Sequence, residues 1–103
     1  MKENIDQLKK IVEQLHQCVA TYLEQVSVIE KFGDKTVWEG IIHVFKIEGN
    51  KEAETCYAWS SPIEGSTKRR YYAVLNVPPI DSPEKAVRAS IVQDQRTNNL
   101  KKT

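Results

Sequence analysis

No run of apolar residues in this chain approaches the ~18 needed to cross a membrane, and Met1-Lys2-Glu3-Asn4 leads into no apolar core of signal type. A soluble, cytoplasmic domain is the expectation. Glycine and proline number only four each, which excludes a collagen-like or low-complexity chain. With 40% hydrophobic and 28% charged residues, wholesale disorder is excluded as well. Two cysteines, Cys18 and Cys56, make no disulfide framework, and both sit in apolar patterns where a thiol behaves as a small hydrophobe. A Gly-rich phosphate loop and a nucleophile-elbow serine are absent. His16, Cys18, His43 and Cys56 equal the ligand count of a zinc site, yet no pair has zinc-type spacing. No metal and no cofactor are expected. Fifteen basic against fourteen acidic side chains leave a net charge of +1 and no bulk attraction to nucleic acid or membrane.

What the chain does contain is patterned. Its 103 residues suffice for one domain, 1–103, burying roughly two-thirds of the surface exposed when unfolded. Ile5, Val12, Val19 and Val26 recur every seven residues, interleaved with Leu8, Leu15, Tyr22 and Ile29. Neither Gly nor Pro interrupts before Gly33. That stripe predicts a helix over about 3–31, roughly 42 Å long. From Thr36 the composition turns β-branched and aromatic, predicting strands over 36–48, 52–60 and 68–77, with Gly40 a candidate bulge. Ser82-Pro83-Glu84 supplies an N-cap, a first-turn proline and a first-turn acid for a short second helix. Residues 98–103 are expected to fray. The expected fold is α+β in the order α-β-β-β-α: a three-stranded antiparallel meander between a long N-terminal and a short C-terminal helix.

Strand register decides the chemistry of the one candidate dyad. Facing residues on antiparallel strands share a side, and a slip of one residue inverts every side chain. If odd-numbered residues of the first strand face even-numbered ones of the second, a tight turn sets His43 across from Cys56, a nucleophile–base pair. It also puts Glu52 and Glu54 among Ile41, Phe45 and Ile47. Pairing of like parity instead groups His43 and Phe45 with Tyr57 and Trp59, keeping apolar with apolar. Like parity is therefore expected, and with it no dyad and no enzyme. With both helices on one sheet face, the other stays open. His43, Phe45, Tyr57 and Trp59 are then either core or an exposed partner surface. Overhanging heptads of the long helix offer a second surface for self-association.

Val37-Trp38-Glu39-Gly40, Cys56-Tyr57-Ala58-Trp59-Ser60 and Val77-Pro78-Pro79-Ile80-Asp81-Ser82-Pro83, followed by Ala86-Val87-Arg88-Ala89, resemble a group of small bacterial proteins without an assigned activity. The resemblance spans about residues 37–92 and implies a bacterial cytoplasmic setting but no mechanism. The element order alone is similar to double-stranded-RNA-binding domains. Those carry a Gly-Pro-x-His loop and a lysine cluster, where this chain has Glu48-Gly49-Asn50-Lys51-Glu52 and Lys85 with Arg88. Basic residues do gather late: residues 61–103 hold eight Lys or Arg and four acids. A non-enzymatic, self-associating interaction module is thus the first expectation. Nucleic-acid binding through Lys68, Arg69, Arg70, Lys85 and Arg88 is the alternative, and a thiol enzyme using Cys56 and His43 the outsider.

Overall fold

The computed structural model describes residues 5–63 and 65–101, with 94–101 described by their backbone alone. The order is α1 (Ile5–His16), β1 (Val19–Phe32), β2 (Lys35–Glu48), β3 (Thr55–Pro62), β4 (Arg69–Leu75) and α2 (Pro83–Lys101). The strands make one antiparallel sheet in the order β1-β2-β3-β4. The class is α+β, with four strands where three were expected, and the C-terminal helix, expected to be short, has 19 residues against twelve in α1.

The extra strand corrects the long helix. Leu8 and Val12 are buried on α1, each apolar side chain contributing roughly 1.5–3 kcal/mol by burial. Gln17, at φ 50°, then turns the backbone left-handed and stops the helix. Half of the next fourteen residues are β-branched or aromatic, a composition that suits a pleated surface better than a helix. Val19, Tyr22 and Ile29, which extended the heptads, are exposed, while Ala20, Val28 and Glu30 are buried at even spacing.

The helices lie on opposite faces of the sheet, not on one. Leu8 and Val12 of α1 pack with Ala20, Phe45, Ile47, Cys56 and Ala58. On the other side Ala86 and Val87 of α2 pack with Val28, Ile42, Val44, Tyr57 and Trp59. Ser82 caps α2, its Oγ accepting the Lys85 N–H at 3.2 Å. One turn of α1 reaches both edge strands. The Glu13 carboxylate accepts the Ala20 N–H of β1 at 2.9 Å, and the His16 ring donates to the Ala73 carbonyl of β4 at 2.8 Å.

Register departs from the expected parity. His43 faces Ala58, Val44 faces Tyr57 and Phe45 faces Cys56, so odd residues meet even ones. Burial on both faces is the cause, since Cys56 through Ser60 are all buried and neither parity exposes an apolar side chain. The acids that weighed against this pairing lie outside β3, in a loop where Asn50 Oδ1 accepts the N–H groups of Glu52 and Ala53 at 2.8 and 3.0 Å. Gly40 is not a bulge either. It pairs regularly with Val28, and the register shifts instead at Leu23 of β1 and Val37 of β2. Its missing side chain makes room for Trp38, whose Cη2 atom lies 2.8 Å from where a Cβ would stand.

Backbone pairing between β2 and β3 ends at His43 and Ala58, although β2 begins at Lys35 and β3 continues to Pro62. The two hairpins therefore diverge. Trp38 wedges the divergence, its ring edge-on to Trp59 at 6.2 Å, and Trp59 stacks on Tyr72 at 5.0 Å and 13°. Past His43 the β1–β2 hairpin continues as a two-stranded arm.

Candidate interaction surface

The four aromatic-side candidates do not form one surface. Phe45 and His43 point toward α1, Tyr57 and Trp59 toward α2, and none is more than 5% exposed. His43 is held from β1 by Tyr22, Oη to Nδ1 at 3.2 Å, with their rings 5.7 Å apart. Asn76 donates to the Tyr57 hydroxyl at 2.8 Å.

His43 and Cys56 share a face after all, but not a rung, since Ala58 stands opposite His43 and Phe45 opposite Cys56. Burial, with a smaller contribution from Cys18, pushes the Cys56 thiol from 9.0 up to about 12. Its Sγ points to the Tyr57 carbonyl at 3.9 Å. A thiol so protonated at neutral pH is a poor nucleophile. Burial and then the Glu13 carboxylate also raise the Cys18 thiol. Among the described residues no group of three or more His, Cys, Asp or Glu side chains is placed to hold a metal ion, and no helix is long and apolar enough to cross a membrane.

The five basic candidates separate into two groups. Lys68, Arg69 and Arg70 stand at the start of β4, one edge of the sheet. Lys85 and Arg88 lie on α2, where Arg88 reaches Glu30 of β1, the opposite edge. Several are already engaged. Arg69 donates to Ser60 Oγ at 2.7 Å and to its carbonyl at 3.2 Å, and Lys85 pairs with Asp81 at 2.9 Å. Glu30, nearly buried, draws the Arg88 guanidinium into a hydrogen-bonded ion pair that raises the Arg88 pKa.

The conspicuous feature is one the heptad reading concealed. Of the ten large apolar side chains that are exposed among the described residues, seven lie on the β1–β2 hairpin. Phe32, beside the turn, is 83% exposed. Ile29 and Ile41 sit diagonally on the α1 side of the arm, past the end of that helix. On the α2 side, Phe32 and Val37 join Ile91 and Val92 in an apolar cleft of about 660 Å³, with Lys31, Lys35 and the Glu30–Arg88 pair at its margin. Four of the seven, Ile29, Phe32, Val37 and Ile41, lie on the two-stranded arm, and such crowding is unusual for a face that meets only water. The sequence signal that could have found it is the β-branched and aromatic half of Val19–Phe32. No known protein family, curated protein or solved structure matches the chain.

Proposed function

We propose that this chain is a non-enzymatic interaction module that associates with itself through the β1–β2 hairpin. The observation that carries the reading is the concentration of exposed apolar side chains on that hairpin: Tyr22, Leu23, Ile29, Phe32, Val37 and Ile41. An α-helix of twelve residues rises only ~1.5 Å per residue, whereas a fourteen-residue strand rises roughly twice that, so α1 cannot cover the length of the hairpin in a monomer. A second copy removes that apolar surface from water, at ~25 cal/mol per Å².

Light scattering behind a sizing column tests the reading. The wild-type chain gives a mass near twice 11.8 kDa at micromolar concentration, and Phe32→Asp with Val37→Asp returns it to one. A monomer at high micromolar concentration would remove the proposal. If that monomer also retained duplex RNA in a gel with steep salt dependence, nucleic-acid binding would take its place.

A further inference from the structure

The direction of the backbone hydrogen bonds identifies which part of the hairpin is open to pairing. Ile47 of β2 donates its N–H to Glu54 on the β3 side at 2.9 Å. Backbone groups alternate along a strand, so odd residues of β2 face β3 and even ones face β1. Ile42, Gly40 and Trp38 therefore engage Val26, Val28 and Glu30. Gln25, Ser27 and Ile29 turn their N–H and C=O groups away from the sheet. Ala20 obeys the same rule on its side of the Leu23 bulge, its outward N–H being the one that Glu13 accepts. Among the described residues, Gln25, Ser27 and Ile29 have no such cap.

Between Glu24 and Glu30 this edge carries no lysine, no proline and no bulge. Natural edges carry lysines, prolines or short strands. β1 has fourteen residues, one lysine (Lys31) and no proline. β4, the other edge, has seven residues, begins Arg69-Arg70 and is capped at Ala73 by His16. Between the two register shifts β1 is regular from Glu24 to Glu30, and the midpoint of that segment is Ser27.

We infer that β1 pairs with β1 of a second copy, antiparallel about a two-fold axis at Ser27, so that two four-stranded sheets become one of eight. The inference deepens the self-association proposed above and rests on it. About that axis, Ser27 meets its own counterpart, and Gln25 of each copy meets Ile29 of the other. On the α2 side Val26 faces Val28. Glu24 faces a Glu30 whose charge Arg88 already offsets. Side chains keep to their own face, as a two-fold axis normal to the sheet requires. The two Glu30–Arg88 pairs stand six residues apart along the seam, roughly 20 Å. Each exposed Phe32 is carried toward the Tyr22 end of the partner strand.

Ser27→Pro tests the pairing selectively. Its N–H points outward, so proline deletes no bond within the monomer's sheet while removing the central donors of the seam. The expected result is a wild-type dimer and a Ser27→Pro chain whose dissociation constant rises at least tenfold, with an unchanged circular dichroism spectrum. A wild-type dimer whose Ser27→Pro form dimerises equally well overturns the edge pairing and leaves self-association standing. A monomeric wild type overturns both. Should Ser27→Pro fail to fold, Ser27→Cys in a Cys18→Ser background, labelled with a nitroxide, decides. Dipolar broadening is expected at position 27 and not for Ser66→Cys, and a dimer with no broadening at 27 overturns the inference.

Discussion

Gly40→Ala sets two opposing effects against each other at one atom. Gly40 pairs regularly with Val28 in the middle of a strand, and its φ is not in the left-handed region. Alanine at such a site ordinarily stabilises by about 0.4–1 kcal/mol, because it restricts the unfolded chain. Here the new Cβ would stand 2.8 Å from Trp38 Cη2 and 3.1 Å from Cζ2, closer than carbon atoms approach. The indole has little room to retreat, since its other side meets Trp59 at 6.2 Å and Trp59 is stacked on Tyr72. Overpacking of this kind costs about 1–3 kcal/mol. The net expectation is a loss of roughly 0.5–2 kcal/mol, equivalent to a few degrees in Tm for a domain of this size. Urea titration followed by tryptophan fluorescence measures the loss, and the near-ultraviolet dichroism of the Trp38–Trp59 pair should change with it. In a Trp38→Leu background the same substitution should become neutral or stabilising, because the clashing ring is gone. A Gly40→Ala chain more stable than wild type, with its near-ultraviolet spectrum intact, would refute the wedge.

Three further outcomes are expected. Cys56 should resist iodoacetamide at pH 7 in the folded chain and react readily in urea. Because its folded pKa lies near 12 against 9.0 for an ordinary thiol, the unfolded chain loses the proton first on raising the pH. The stabilisation associated with this group is complete below pH 9 and is lost between pH 9 and about 12 at ~1.4 kcal/mol per pH unit, a slope that Cys56→Ala should lack. Arg88→Met strands the nearly buried Glu30 carboxylate and should lower the urea midpoint more than Glu30→Met, which removes the charge that needs a partner. Phe32→Asp, at a side chain 83% exposed, should leave the Tm of the monomer, read at a concentration where both chains are dissociated, within about 1–2 °C, while weakening self-association, as light scattering would read.

The second half of the chain was the legible half. Lys35–Glu48 needs only β-branched and aromatic residues bounded by turn signals, and Ser82-Pro83-Glu84 opens a helix by a local hydrogen bond that sequence specifies directly. Residues 19–32 misled because valine every seven residues suits a helical stripe, whereas the Leu23 bulge breaks the period of two that would have announced a strand. Register failed for a different reason. Hydrophobic alternation fixes parity only when one face is wet, and β3 is core on both faces. That single slip moved Tyr57 and Trp59 away from His43 and Phe45, splitting between two buried faces the residues that were expected to share one, as core or as partner surface. The hairpin arm was legible only in part: its apolar residues are plain in the sequence, but their exposure depends on where a short α1 ends and on where β2 parts from β3.

Amide hydrogen exchange compared at low and high protein concentration tests most directly whether the arm is where two copies meet. Concentrating the protein should slow exchange in peptides covering residues 23–41 and leave the β3–β4 hairpin unaffected. Equal exchange of residues 23–41 at both concentrations, in a protein whose mass has doubled between them, would place the contact elsewhere and contradict the account.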